Sequence, residues 1–142
     1  MSKRIVNEIS RSQSITSEHF NQGTRILTFI YKNEKGISLK IPDEYPFRPP
    51  KELKVNFIPI NYYSLGNKEM LYKYLTKKCL CCSTILCKHN WSVQKNLENV
   101  CEEYIFFKDI INASIVFNYI EKKDLLPNEI IKIIGKFFKL PD

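Results

Sequence analysis

Three features of the sequence predict an α+β domain. Residues 14–41 hold short runs of alternating apolar and polar residues divided by polar connections. Residues 93–123 carry apolar residues at helical spacing, and the proline-rich run from Pro42 to Pro50 between these stretches halts regular structure. At 142 residues the chain fits one domain, 1–142, able to bury a core without staples.

Lys3 to Ser12 reads as a short amphipathic helix with Ile5, Ile9 and Val6 on one side and Ser2 as its cap. Ser14 to Phe20 is a first strand. Thr24 to Lys32 is a second, with apolar residues on both faces. Asn33-Glu34-Lys35-Gly36 has the composition of a tight hairpin connection, and Ile37 to Ile41 alternates as a third strand. Lys54 to Ile60 makes a fourth, edge-like at Pro59. A four-stranded antiparallel meander with flanking helices results.

The proline run contains Tyr45-Pro46-Phe47-Arg48-Pro49-Pro50, too aromatic for a flexible linker, and reads as a packed turn. Met70, Leu71, Tyr74 and Leu75 stand at helical spacing inside 66–78, which predicts an inserted helical turn. After Trp91, the residues Val93, Leu97, Val100, Cys101, Tyr104 and Ile111 predict a central helix, with Ser92 as its cap. Asn112 to Lys123 reads as another helix, and Leu125-Leu126-Pro127 opens a last one.

The formal charge of +7 is spread in single residues and pairs, the pattern of a solvated surface, so nucleic-acid binding is unsupported. No apolar run reaches the roughly eighteen residues of a membrane span, and Met1-Ser2-Lys3-Arg4 does not open a secretory signal. Of the five cysteines, Cys79, Cys81, Cys82 and Cys87 crowd into nine positions. That crowding and the odd total favour reduced thiols or a metal over a disulfide framework, and with them an intracellular place, cytoplasmic or nuclear.

The words Lys3-Arg4-Ile5-x-x-Glu8-Ile9, the meander, Ile41-Pro42-Asp43-Glu44-Tyr45-Pro46-Phe47-Arg48-Pro49-Pro50 and then Lys54-Val55-x-Phe57 resemble, in content and order, the ubiquitin-conjugating enzyme family. Cys82-Ser83-Thr84-Ile85-Leu86, followed by Trp91-Ser92, is similar to that family's catalytic cysteine segment. The resemblance implies a ubiquitin-conjugating fold with Cys82 as acyl carrier. It also implies ubiquitin or a ubiquitin-like protein, an activating enzyme and a ligase as partners. Lys3 and Arg4 match basic positions of the first helix that meet the activating enzyme. Phe47, Pro49 and Pro50 match the turn that meets the ligase, and Ser92 stands beside them in the Trp-Ser step. The bland alternatives are solvated charge for the two basic residues and burial for the aromatic. Large DNA viruses with AT-rich genomes encode proteins of similar appearance, which adds a place in a virus particle to the expectations.

The chain departs from the family in several places. Tyr63-Ser64-Leu65 stands near where a His-Pro-Asn motif belongs, Val93 replaces a proline, and little chain remains for the family's final helix. The missing asparagine matters because loss of an oxyanion donor typically costs about 10²–10³ in rate. Asn61, Asn67 and Asn90 are the amides within reach in sequence.

Three readings of the thiols stay open. Cys82 carries an acyl group, its thiolate favoured by Lys77, Lys78, Lys88 and His89. Alternatively Cys79, Cys82, Cys87 and His89 form a closed structural zinc site, an optional cofactor for a function that requires none. In the third reading the thiols are packing residues in a catalytically inactive binding or structural variant. Cys101 falls on the apolar side of the central helix as a core residue, Trp91 anchors its loop against the core, and His19 is exposed.

Overall fold

The computed structural model describes residues 2–62 and 80–123. The predicted helical insertion at 66–78, Cys79, Asn67, Tyr63-Ser64-Leu65 and the last predicted helix lie outside the described residues. The architecture is α+β: helix α1 (Lys3–Arg11), strands β1 (Ile15–Asn21), β2 (Ile26–Tyr31), β3 (Glu34–Lys40), β4 (Lys51–Val55) and β5 (Ile58–Pro59), then helix α2 (Leu97–Lys123). A single helical turn, Leu80–Ser83, precedes α2.

The strands form one antiparallel sheet in the order β1-β2-β3-β4-β5. Five strands stand where the sequence predicts four, because the run Lys54 to Ile60 is broken. Asn56 and Phe57 both adopt positive φ, 51° and 68°, and turn the chain so that Val55 pairs with Ile58 and Lys54 with Pro59. Pro59 has no N–H to give a further neighbour, which suits an edge.

The predicted turn at Asn33 to Gly36 also moves. Tyr31 pairs with Glu34, so Lys32 and Asn33 alone make the turn, with Lys32 at φ 51°. Gly36 instead lies within β3 at φ +68°, where a Cβ would stand 2.7 Å from Asn56 Oδ1 and 3.2 Å from its backbone nitrogen. Glycine is needed there for both the backbone conformation and the close approach.

On β2 the face that carries Leu27, Phe29 and Tyr31 is buried, while Ile26, Thr28 and Ile30 are half-buried. Leu39, Ile37, Leu53 and Val55 extend the same core, which Ile5, Ile41, Tyr45, Trp91, Leu97, Val100 and Cys101 complete. Ser2 caps α1 as predicted, its Oγ accepting the Ile5 N–H at 3.3 Å.

Ser92 does not cap α2. Asn96 does: its Oδ1 accepts the Asn99 N–H, and Asn99 Oδ1 accepts the Asn96 N–H, each at 2.9 Å. This reciprocal pair is an asparagine version of the capping box. The two helices predicted across 93–123 are one, because the joint near Asn112 holds no glycine or proline to interrupt it.

By internal contacts the chain divides into two compact units, Met1–Asn61 with Thr84–Glu103, and Tyr62–Ser83 with Tyr104–Asp142. In the second unit Tyr62, Tyr104, Ile111 and Ala113 are buried. Phe106 and Phe107 there meet edge to face with ring centres 5.0 Å apart. Among the described residues no helix is long and apolar enough to cross a membrane.

Candidate functional site

Within the first unit, α1, the proline turn and the segment 91–98 are joined through two side chains of α1. Glu8 sits beside Ile5 and Ile9 on the inward side of the helix and is 11% exposed. Its Oε2 accepts from Arg4 Nε at 2.9 Å and from the Tyr45 hydroxyl at 2.6 Å, and its Oε1 accepts the Leu97 N–H at 2.7 Å. The last bond satisfies an orphan donor at the start of α2 and places negative charge at the positive end of its dipole. Burial and the Glu8 hydrogen bond push the Tyr45 phenol far above its ordinary pKa.

Arg4 extends the junction. Its Nη2 donates to the carbonyls of Val93 at 2.8 Å and Lys95 at 3.1 Å. Trp91 is buried as predicted, its Nε1 donates to the Pro46 carbonyl at 2.7 Å, and its ring lies 6.0 Å from that of Tyr45. These bonds hold together the three elements that carry Lys3, Arg4, Phe47 and Ser92. Phe47 is 79% exposed and Val93 44% exposed, Lys3 and Ser92 are exposed, and Pro49 and Pro50 are buried. Burial therefore does not explain Phe47, but it does explain the two prolines. An open cleft of about 730 Å³ runs between α1 and the 93–98 segment, with Arg4, Asn7, Arg11, Gln94, Asn96 and Glu98 in its walls.

The cysteine segment divides by burial. Cys82 is exposed on the Leu80–Ser83 turn, Cys87 is half-buried and Cys101 is buried in α2. Burial, with Glu102 and Glu98 nearby, pushes the Cys101 thiol far above its usual pKa, which keeps it protonated and inert. Thr84 is 1% exposed. Its hydroxyl donates to Glu103 Oε1, while Glu103 Oε2 accepts the Ile85 N–H at 2.9 Å. The Thr84 carbonyl accepts from Cys87 N–H at 3.1 Å and from Asn90 Nδ2 at 3.0 Å. His89 is exposed, as are Asn61 and His19.

Among the described residues no three His, Cys, Asp or Glu side chains stand together as a metal group; Cys79, one of the four residues predicted as zinc ligands, lies outside them. Glu8, which enters the sequence reading only as part of the first-helix word, and Glu103 are the residues to which that reading gave no role. Glu8 had a signal, since position 8 falls between Ile5 and Ile9 on the helical stripe. Glu103 had a weaker one, at the border of the Val100–Tyr104 stripe.

Comparison with family models, with curated proteins and with solved structures finds no match.

Proposed function

We propose that this chain is a ubiquitin-conjugating-type protein in which Cys82 carries ubiquitin or a ubiquitin-like modifier as a thioester. The observation that carries the reading is the exposure of Cys82 on the turn immediately before the Thr84–Trp91 loop. In the proposed cycle the Cys82 thiolate attacks the thioester carbonyl on the activating enzyme, whose thiol leaves. A substrate lysine, or a ligase thiol, then attacks the Cys82 thioester, and the Cys82 sulfur leaves as thiolate. Lys3, Ser92 and the exposed Phe47 support the reading as surface for the activating enzyme and ligase.

A second reading, a partner-binding protein without transfer activity, is favoured by one observation. The Asn90 amide is engaged by the Thr84 carbonyl, and no asparagine stands in a His-Pro-Asn motif.

Incubation with activating enzyme, ATP and ubiquitin, resolved on a non-reducing gel, separates the two. The conjugating reading expects an adduct that thiol reductant removes and that is absent from Cys82→Ala. In Cys82→Ser the adduct becomes reductant-stable, because an oxyester replaces the thioester. No adduct with any activating enzyme of the ubiquitin or ubiquitin-like systems would reject transfer and leave the binding reading.

A further inference from the structure

Positive charge that is spread along the sequence is partly gathered by the register of the sheet. Lys40 on β3 and Lys51 on β4 stand directly opposite each other, and Ser38, two positions from Lys40, pairs with Lys54. Two residues of strand span roughly 7 Å, so three lysines distant in sequence share one patch. Ile37, Leu39, Leu53 and Val55 fill the core on the other face, and the three lysines are exposed. Among the described residues the ion pairs engage Arg4, Arg25, Lys32 and Arg48 and none of these three. The carboxylates that β3 and β4 themselves carry are Glu34 and Glu52, against four lysines.

The fold gains nothing from this arrangement. Like charges directly opposite across a strand pair are destabilising. Lysines that guard a sheet against aggregation belong on edge strands, whereas β3 lies inside the sheet, with Lys40 between Ile26 of β2 and Lys51 of β4. The β4–β5 turn, which follows Lys54 on the same strand, carries a second feature of this kind. Phe57 holds φ 68°, a conformation that glycine and asparagine adopt readily and bulky residues do not. Its side chain is 96% exposed, so no burial offsets the strain.

We propose that this face of the sheet, Lys40, Lys51 and Lys54 with Phe57 at its end, is a docking surface for single-stranded nucleic acid. The lysines meet successive phosphates and the Phe57 ring stacks on an unpaired base, a combination that holds single strands without regard to sequence. An acidic peptide matches the charge alone, and in a duplex the bases are already stacked on one another. The surface lies within the first unit and is independent of any reaction at Cys82.

The test is fluorescence anisotropy of the full chain with a labelled oligothymidylate of about 16 nucleotides, titrated at several salt concentrations. Binding is expected with a dissociation constant on the order of 10⁻⁵ M near 0.1 M salt, and three phosphate contacts give log K against log salt a slope of about −2. Removing the three lysines together (Lys40→Gln, Lys51→Gln, Lys54→Gln) should abolish most of the binding and of the slope. Phe57→Asn, which suits the turn and so keeps the fold, should weaken binding on the order of tenfold and leave the slope unchanged. Lys88→Gln, which removes an exposed lysine from the Thr84–Trp91 loop, should bind as the wild type does. Circular dichroism melting confirms that each variant is folded. No anisotropy change up to about 10⁻⁴ M overturns the proposal. So does wild-type affinity in Phe57→Asn, or a loss in Lys88→Gln as large as that in Lys54→Gln alone, since either makes the attraction one of net charge. Equal affinity for polyglutamate or for a duplex of the same length also rejects the single strand as occupant, the first in favour of an acidic protein.

Discussion

Glu8 accepts from three donors on three segments: the Arg4 guanidinium, the Tyr45 hydroxyl and the Leu97 N–H. Removing its carboxylate leaves a buried phenol and a helix-start N–H without acceptors, and frees a guanidinium that also holds the 93–95 carbonyls. Glu8→Ala should therefore lower stability by about 3 kcal/mol, read as a shift in urea midpoint. Glu8→Gln should fall between, because one amide oxygen can accept but its NH₂ meets donors on the other side. A loss in Glu8→Ala no larger than that of an ordinary surface change would show that the three bonds are not the junction. In sequence this residue looked like one more polar position on α1. A carboxylate beside Ile5 and Ile9 is visible there, but its partners on Tyr45 and Leu97 come from segments 37 and 89 residues away, and only folding brings them together.

At the scale of elements, the strands were legible and their limits were not. Leu27, Phe29 and Tyr31 alternate with Ile26, Thr28 and Ile30, so period-two patterning marked β2 but could not choose its buried face. The turn residues misled for a local reason. Gly36 has the composition of a hairpin turn, yet what demands glycine there is its positive φ within β3 and the approach of Asn56, a residue of the β4–β5 turn 20 positions away. The cap of α2 shows the same limit, since both Ser92 and Asn96 have suitable side chains and only the Asn96–Asn99 exchange distinguishes them. Asn96→Ala should cost about 1 kcal/mol, whereas Ser92→Ala should leave the thermal midpoint unchanged. Equal effects from the two substitutions would return the helix start to Ser92. The exposed Phe47 and Cys82, by contrast, were readable as candidates because the proline turn and the cysteine segment are contiguous words. Their exposure could not be read from the words alone.

At the scale of the whole molecule, the groups among the described residues that burial forces to stay neutral make stability depend on pH. Tyr31, Tyr45 and Cys101 are all buried, and desolvation is the largest cause of the upward shift in each. Glu102 adds to the shifts of Tyr31 and Cys101, and Glu8 to that of Tyr45. A raised folded-state pKa means that the folded protein keeps its proton where the unfolded chain has lost it. The stabilisation is complete below the unfolded pKa and is lost as pH rises toward the folded one. Unfolded thiols titrate near about 8.5 and phenols near about 10, so the loss should begin with Cys101 and steepen when the two tyrosines join. Each group contributes about 1.4 kcal/mol per pH unit once its unfolded form has ionised. Glu102 has the opposite sign: its pKa is lowered, chiefly by the Tyr31 hydrogen bond, so its contribution is present at neutral pH and lost in acid. At half exposure solvent screens much of that contribution, and the acid limb should be shallow. The urea midpoint should thus be nearly flat from pH 6 to 8, fall above about pH 8.5, and fall more steeply above about pH 10. Cys101→Ala is expected to start from a lower stability but to delay the alkaline decline until the phenols titrate. A midpoint that stays level to pH 10.5, or a Cys101→Ala curve parallel to the wild type, would mean that these groups meet water in solution and that the core is not closed around them.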